Sequence, residues 1–417
     1  MLSLGMLLTC IVLMGCNNKE KLKDTIVKKT AKQILGNPKY QAISYGGYRM
    51  TSRDMQPSVA DIKEDLLILH AMGIRLLRTY NVHLAHAGNV LKAIEELKNQ
   101  DVSFEMYVML GAWIDCKNAW TEFPPIHNEE SSRNEKEIEK AVELASLYPD
   151  IVKVIAVGNE AMVKWAAAYY VEPWIILKWV NHLQTLKEEG TLPKDLWITS
   201  SDNFASWGGG EDVYKINELN ELIKAVDFIS IHTYPMHDTH YNPTFWHEPE
   251  TERDYTDSVK IERAMSRSLA YAQNQYNFTV AYMKSIGVGK PVHIGETGWA
   301  SSSDGHYGAE GSRACDEYKQ KLYHDKMRAW TNQDEISCFF FEAFDEQWKD
   351  AANQKGSENH FGLFDISGNA KFALWEEVDK GTYEGLGRNG TAVKKTFDGD
   401  IKKLKASILV SAPALID

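Results

Sequence analysis

The chain has 417 residues, of which 46 are Lys or Arg and 58 are Asp or Glu, so its formal net charge is −12. Apolar residues make up 44% and aromatic residues 11%, fractions that exclude a disordered chain. The acidic balance argues against a general nucleic-acid binder, because the chain would repel phosphate backbones. The length suits one large α/β barrel or a few smaller domains.

The N-terminal segment predicts a targeting signal. Residues 1–15 are apolar and too few to span a bilayer, which indicates a signal peptide. Together with Cys16 they end in LMGC, which resembles a bacterial lipobox, so we expect Cys16 to carry lipid. Polar residues in 16–38 predict a tether. The protein is therefore expected in the bacterial cell envelope, anchored to the outer membrane and facing the periplasm or the surface. A plain cleaved signal or an uncleaved anchor is the alternative.

The remaining cysteines are Cys116, Cys315 and Cys338. Their irregular spacing predicts neither a disulfide framework nor a zinc site. One bridge between Cys116 and Cys315 stays possible at this point, so the fold must depend mainly on its apolar core.

Short β-rich apolar runs alternate with longer amphipathic stretches along the chain. Strands are predicted at 42–46, 74–79, 103–110, 151–157, 196–200, 226–232, 291–295 and 336–342. Helices are predicted at 58–72, 88–99, 133–147, 172–189, 212–224, 257–286 and 311–332, the first of them with a capping pair of Ser58 and Asp61. Several strands are almost continuously apolar, as is typical of parallel strands covered on both faces.

This alternation predicts an α/β fold, a (β/α)8 TIM barrel. A doubly wound sheet is the alternative, but no glycine-rich phosphate loop follows the first strand. No internal repeat or Pro/Ser-rich linker is evident, so residues 39–380 are predicted to form a single domain. Residues 381–417 are predicted as a C-terminal extension, either packed on the barrel or loose.

Two glutamates follow buried strands directly. The fourth predicted strand ends in Val157-Gly158-Asn159-Glu160, and the seventh is followed by Glu296. In a barrel of this kind, functional groups lie at the C-terminal ends of the strands. Strands four and seven lie on opposite sides of the bowl above the barrel. We therefore expect the two carboxyl groups to face each other across a bound substrate.

Such a pair of carboxyl groups suits glycoside hydrolysis. One protonated glutamate donates a proton to the leaving oxygen, while the other attacks the anomeric carbon as a carboxylate. A separation of about 5–5.5 Å gives a covalent glycosyl-enzyme and retention of configuration. Asn159 is expected to bond the sugar hydroxyl next to the reacting carbon. One glutamate alone would indicate only a solvated surface charge; the joint placement favours a catalytic pair.

Four motifs in order resemble glycoside hydrolase family 17, the retaining β-1,3-glucanases. The resemblance extends from about residue 43 to residue 375. It is carried by 78–80 (RTY), 157–160 (VGNE), 295–299 (GETGW) and 341–349 (FEAFDEQWK). Thr297 stands where many members of the family have Ser, which keeps the hydroxyl group.

The resemblance implies roles for individual residues. Glu160 is implied as the acid/base and Glu296 as the nucleophile. Tyr234, at the end of strand six, is expected to orient Glu296 or to serve packing alone. Tyr80 is expected to contact the sugar that undergoes reaction. Glu342, at the mouth of strand eight, is expected to bond sugar hydroxyls or to tune the catalytic pair.

Aromatic residues near strand ends are candidate platforms for sugar rings, whose flat C–H faces stack on aromatic rings. Trp299 is the first candidate, followed by Phe344, Trp348, Trp113 and Trp207.

Histidines cluster after strand six, but their spacing is not that of a helical metal-binding pair. They are expected to serve loop hydrogen bonding or contacts to outer sugars, and no metal or cofactor is predicted. The cluster comprises His232, His237, His240 and His247.

The sequence thus predicts a lipid-anchored, monomeric, retaining hydrolase of laminarin-like β-1,3-glucan. A β-1,3-glucanosyltransferase with the same residues is the alternative, because sequence does not reveal whether water or sugar accepts the glycosyl group. A surface glycan-binding protein with an inactive barrel is a third hypothesis, which the presence of both carboxyl groups disfavours. The expected partners are a β-glucan and, through the lipid, a membrane, but no nucleic acid.

Overall fold

Eight parallel strands close into a barrel, in a computed structural model that describes residues 28–410. The strands are β1 Gln41–Ser44, β2 Ile74–Arg78, β3 Tyr107–Ala112, β4 Val152–Asn159, β5 Trp197–Asn203, β6 Ile229–His232, β7 Val292–Gly298 and β8 Cys338–Phe341. Each strand pairs with the next in chain order, and β8 pairs with β1. The predicted (β/α)8 barrel is confirmed, and the doubly wound alternative is excluded.

Helices surround the strands at nearly the predicted positions. The longer helices of the described residues are α1 Val59–Ala71, α2 Ala85–Gln100, α3 Asn134–Leu147, α4 Pro173–Glu188, α5 Asn217–Ala225, α6 Asp257–Ser285 and α7 Glu317–Gln333. Shorter helices that were not predicted lie at Pro235–Tyr241, Trp375–Asp379 and Ile401–Ala406. The capping box at the start of α1 is confirmed, since the Ser58 hydroxyl accepts from the Asp61 amide and the Asp61 side chain accepts from the Ser58 amide. Among the described residues, no helix is long and apolar enough to cross a membrane.

The N-terminal end of the barrel is closed by a one-turn helix, Ala31–Ile34. Ala31, Ile34 and Leu35 are buried against strand residues such as Leu76 and Phe339. The predicted tether is therefore wrong for this part of residues 16–38, because these apolar side chains cover the barrel floor. Residues 1–27, with the predicted signal peptide and Cys16, lie outside the described residues.

The C-terminal extension packs on the barrel over residues 381–410. Arg388 is completely buried, and its Nε lies 2.9 Å from Oδ1 of Asp65 on α1. Leu404 is also buried, and Lys319 on α7 donates to the carbonyl of Leu409 at 2.5 Å. Residues 381–410 are therefore in contact with the barrel, while residues 411–417 lie outside the described range.

The three cysteines of the described part of the chain are buried and unpaired. Cys116 and Cys315 therefore do not form the bridge that the sequence left possible.

Candidate active site

A cleft of about 1030 Å³ opens at the C-terminal ends of the strands. Asn159 and Glu296 lie in its wall together with Tyr80, Trp113 and Trp348. Because all eight strands are parallel, side chains from distant parts of the sequence meet at this one end of the barrel.

The turn after β4 sets the direction of Glu160. Gly158 has a φ of +83°, and a Cβ atom there would lie 2.9 Å from that of Ala161, so glycine is required. Glu160 itself has a φ of +47°, in the left-handed region that is uncommon for residues other than glycine. Its amide donates to the carbonyl of Ser201 on β5 at 3.0 Å. The buried carboxyl group of Asp202 accepts from the amide of Met162 at 2.7 Å and holds the turn from its other side.

Glu296 lies within β7 and is held by two donors. Nη1 of Arg78 lies 2.6 Å from its Oε2, and the hydroxyl of Tyr234 donates to its Oε1 at 2.6 Å. Together these two hydrogen bonds fix the orientation of the carboxyl group.

Arg78 connects the two halves of the site. Besides Glu296, its guanidinium donates to the carbonyl of Gly295 at 2.8 Å and to Oδ1 of Asn159 at 2.5 Å. Its Cζ also lies 4.7 Å from the ring centre of Tyr80. The planar fork of an arginine can bond both groups at once, whereas a lysine would offer one point charge.

His232 lies between the two carboxyl groups and is completely buried. Its Nδ1 is 3.1 Å from Oε1 of Glu160 and 3.5 Å from Oε2 of Glu296. The two oxygens are thus separated by no more than the sum of these distances, so both carboxyl groups can reach the same small region of a bound substrate. Its Nε2 is 2.8 Å from the Ser201 hydroxyl, which fixes the ring.

The two carboxyl groups have different surroundings. Burial raises the pKa of Glu160 to about 7, so this side chain keeps a proton in a large fraction of molecules near neutral pH. Burial lowers the pKa of His232 to about 3, so the imidazole between the pair is neutral. The carboxyl group of Glu296 receives a charged and a neutral donor, while that of Glu160 contacts the neutral imidazole of His232. One proton donor and one carboxylate can therefore coexist at this site.

Other predicted site residues differ in their placement. Tyr80 and Trp348 lie in the cleft wall, and the indole of Trp348 donates to Glu346 at 2.9 Å. Glu342 is buried, and Lys349 Nζ lies 2.5 Å from its Oε1. Lys349, rather than Glu342, lines the cleft. Burial raises the pKa of Glu342 despite the nearby ammonium group. This placement disfavours direct bonding of sugar by Glu342. It favours a role in which the buried carboxyl group of Glu342 holds Lys349 at the cleft wall.

The prediction of a sugar platform is wrong for Trp299 and Phe344. Trp299 is completely buried, packs 5.0 Å from the ring of Tyr323 on α7, and donates to the carbonyl of Ala314. It therefore lies in the layer between strands and helices. Phe344 stacks on Phe364 at 5.0 Å and is buried too. Trp207, the weaker candidate, is also completely buried.

Sequence reasoning gave Arg78 no role beyond its place in the 78–80 motif, and it expected His232 to serve loop hydrogen bonding or outer sugars rather than to lie between the carboxyl groups. A signal was present, since Arg78 is a charged residue in a buried strand and His232 ends a buried strand beside the predicted nucleophile.

Within residues 28–410, no cluster of three or more His, Cys, Asp or Glu side chains is arranged to hold a metal ion.

Residues 42–362 match the family described as the BtgE/BtgC glycoside hydrolase domain. A similar protein from Aspergillus niger, "Putative glucan endo-1,3-beta-glucosidase btgC", is 24% identical over 326 residues, which are 76% of this chain and 40% of that protein. Its counterpart from Aspergillus terreus is 21% identical over 361 residues, 82% of this chain and 47% of that protein. The chain thus spans less than half the length of these curated relatives.

Solved structures share the fold. The endo-laminarinase from Formosa Hel1_33_131 is 60% identical, with a TM-score of 0.92 over 93% of this chain and 99% of that one. A β-1,3-glucanosyltransferase from Rhizomucor miehei, solved as an active-site mutant with laminaritriose, is 20% identical, with a TM-score of 0.54 over 80% of this chain and 96% of that one. At that identity the second likeness concerns the fold alone.

Proposed function

The chain belongs to the BtgE/BtgC glycoside hydrolase family, and we propose that it hydrolyses laminarin-like β-1,3-glucan with retention of configuration. The high identity to the Formosa endo-laminarinase, over nearly the full length of both chains, supports this substrate. The family assignment also agrees with the four motifs that resemble family 17.

In the first step, a carboxylate oxygen of Glu296 attacks the anomeric carbon. The bond between that carbon and the glycosidic oxygen breaks, and Glu160 gives its proton to the leaving oxygen. The products are a glycosyl ester on Glu296, a free sugar chain and an ionised Glu160. In this proposal Asn159, whose Oδ1 accepts from Arg78, bonds the neighbouring sugar hydroxyl through its side-chain amide.

In the second step, Glu160 takes a proton from water as the water oxygen attacks the same carbon. The ester bond to Glu296 breaks, and its carboxylate is restored. Glu160 regains its proton and the sugar leaves with its original anomeric configuration. The donors from Arg78 and Tyr234 receive the returning negative charge.

The difference between the two carboxyl groups is the observation that carries this proposal. Burial raises the pKa of Glu160 to about 7, whereas Glu296 accepts hydrogen bonds from Arg78 and Tyr234. These surroundings support Glu160 as the acid and Glu296 as the nucleophile, and this support does not depend on the family resemblance.

The test compares Glu160→Ala and Glu296→Ala on laminarin and on an activated aryl laminarioside, with and without azide. Both variants should lose laminarin hydrolysis, while Glu310→Ala, at an exposed position, keeps it. Azide should replace the nucleophile in Glu296→Ala and give a glycosyl azide of inverted configuration. In Glu160→Ala it should replace water and give a retained azide, since the glycosyl-enzyme still forms.

Several outcomes contradict the proposal. Laminarin hydrolysis by Glu296→Ala at the wild-type rate would exclude Glu296 as nucleophile. A retained azide from Glu296→Ala and an inverted azide from Glu160→Ala would make Glu160 the nucleophile and Glu296 the acid/base. Wild-type products longer than the substrate, observed at high glucan concentration, would indicate transfer to sugar in place of water.

For the location of the protein, we propose lipid attachment at Cys16 and a place in the bacterial cell envelope. The support is the apolar segment of residues 1–15 followed by the LMGC sequence. Mass spectrometry of the mature protein tests it, because a diacylglycerol on an N-terminal Cys16 is expected. A mature chain that begins elsewhere without lipid would contradict it.

A further inference from the structure

One wall of the cleft is formed by three aromatic side chains, Trp113, Tyr169 and Trp120, named here the aromatic wall. Trp113 directly follows β3, Trp120 lies in the loop between β3 and α3, and Tyr169 lies in the loop between β4 and α4. Three separate chain positions therefore converge on one surface of the cleft.

The rings of the aromatic wall form a continuous series. Trp120 stacks on Tyr169 with ring centres 5.0 Å apart and 22° between the planes. Tyr169 lies 5.4 Å from the ring of Trp113 at 41°. Trp120 is 58% exposed even though it contacts Tyr169. Its indole thus offers apolar surface to the cleft, which is unfavourable in water unless a ligand covers it.

The backbone around Trp120 is held in place. Trp120 has a φ of +61°, a left-handed conformation that is rare for a bulky residue. The carbonyl of the preceding residue, Ala119, accepts from Nη2 of Arg133 at 3.2 Å, and the same nitrogen lies 2.7 Å from Oδ2 of Asp115. Ala119 is buried. Such a conformation is held by its surroundings, and strain of this kind is frequent at ligand-binding positions.

The position of the wall relative to the carboxyl pair follows from electrostatics and contact. Burial raises the pKa of the Tyr169 hydroxyl, and the charges of Glu160 and Glu296 add to this effect. Tyr169 is half-buried between Trp113 and Trp120, and Trp120 stacks on it with most of its surface in solvent. The wall therefore extends from half-buried rings to an exposed one within the same cleft.

Polar side chains accompany the rings in the same cleft, among them Asn134, Lys136 and His83. Flat apolar faces beside hydrogen-bonding groups suit a pyranose ring, which presents C–H groups on its faces and hydroxyl groups on its edge. A purely apolar ligand would leave these polar groups without partners.

We propose that the aromatic wall is an outer glucan subsite, in which Trp120 stacks on a sugar ring beyond the two rings joined by the bond that is cleaved. This inference rests on the proposed function, because it takes β-1,3-glucan as the substrate. The subsite adds a dependence on substrate length, because only a glucan long enough to reach Trp120 gains this contact.

The test measures kcat and KM of Trp120→Ala on laminarin and on a series of short laminari-oligosaccharides. We expect kcat/KM on laminarin to fall about 10-fold, mainly through KM, and the loss to diminish as the substrate shortens. Trp120→Phe should recover much of the loss because it keeps an aromatic face. Trp165→Ala is the matched control, since Trp165 is 64% exposed on the loop after β4 but does not line the cleft.

An equal loss on all chain lengths, or a result equal to that of Trp165→Ala, would overturn the subsite. A second measurement separates this result from failure of the proposed function. Calorimetric binding of laminaripentaose to Glu296→Gln, with and without Trp120→Ala, requires no turnover. Weaker binding in the double variant supports the subsite, and unchanged binding overturns it. Absence of laminarin cleavage by the wild type would contradict the proposed function alone.

Discussion

Nη1 of Arg78 lies 2.6 Å from Oε2 of Glu296, and both side chains are almost completely removed from water. A buried ion pair of this kind stabilises a fold only weakly, because desolvation offsets most of the attraction. Its value here is geometric, since the same guanidinium also bonds Asn159. The proposed nucleophile and the proposed sugar contact are thus fixed relative to each other before substrate binds.

Arg78→Lys should lower kcat on laminarin roughly 10²-fold, because an ammonium group cannot bond Glu296 and Asn159 at the geometry of the fork. Steady-state kinetics measures the effect, and thermal unfolding checks that the fold persists. The matched control is Arg75→Lys on the same strand, whose guanidinium bonds the backbone carbonyls of His70 and Ile74. Equal kcat values for the two variants would contradict the positioning role.

The pH profile of the enzyme should depend on Glu358, which lies in the cleft wall. Glu160 must be protonated to act as the acid, and its pKa is raised to about 7, so kcat/KM should decline as the pH rises through about 7. The negative charge of Glu358 adds to this rise in pKa. In Glu358→Gln, Glu160 ionises more easily, so the decline should begin at lower pH.

The opposite shift is expected for His237→Gln, since His237 lowers the pKa of Glu160. Rates measured from pH 4 to pH 9 for both variants check the signs. Glu310→Gln, exposed and outside the cleft, serves as the control. A shift in the same direction for both cleft variants would contradict this electrostatic account.

The barrel was accessible from sequence because its strands are buried on both faces and read as apolar runs. The ends of the strands were harder to predict from the sequence. The prediction ended β4 at residue 157 and β7 at residue 295, but these strands continue to Asn159 and Gly298. Their last residues are polar or glycine, so hydrophobicity does not reveal that they still belong to the barrel sheet.

The same limit explains the error at Trp299. Proximity to the motif around Glu296 favoured a position in the cleft, but the side chain packs against Tyr323 on α7. Which face a residue takes just after a strand depends on local register, which a single sequence does not contain. Conversely, the contact between Asp65 and Arg388 joins residues 323 positions apart and leaves no local signal in the sequence.

Glu160→Gln should make the protein inactive and more stable at alkaline pH. The pKa of Glu160 is about 7 in the folded protein and about 4.5 in an unfolded chain. The stability from its extra bound proton is therefore complete below about pH 4.5 and is lost as the pH rises through about 7. Glutamine does not ionise, so the variant avoids this loss. The difference in free energy of unfolding between Glu160→Gln and the wild type should therefore shift in favour of the variant by on the order of 1–3 kcal/mol from pH 4.5 to pH 8.

Urea unfolding of both proteins at the two pH values measures this gain in the free energy of unfolding. Glu310→Gln should show no such difference, because its side chain is exposed. A stability difference between Glu160→Gln and the wild type that does not change with pH would contradict the raised pKa.

The C-terminal extension should stabilise the barrel through Arg388. Its guanidinium bonds both carboxylate oxygens of Asp65, at 2.9 and 3.2 Å, and also donates to the carbonyl groups of Ile366 and Gly47. Gly47 belongs to the loop after β1, which supplies Gly46 and Tyr48 to the cleft wall. Arg388→Met should lower the free energy of unfolding by about 3–5 kcal/mol, because Asp65 loses a buried partner and keeps only Arg49 and Tyr45.

Lys403→Met tests the same extension at an exposed ion pair with Asp398, where solvent screening leaves a much smaller expected loss than at Arg388. Equal unfolding free energies for the two variants would show that the extension contributes nothing specific through Arg388. If Arg388 acts as argued, adding Asp65→Asn to Arg388→Met should recover part of the loss, since the neutral side chain no longer buries a charge opposite the missing guanidinium. A double variant less stable than Arg388→Met alone would contradict this account, because it would show that Arg49 and Tyr45 still compensate the Asp65 carboxylate without Arg388.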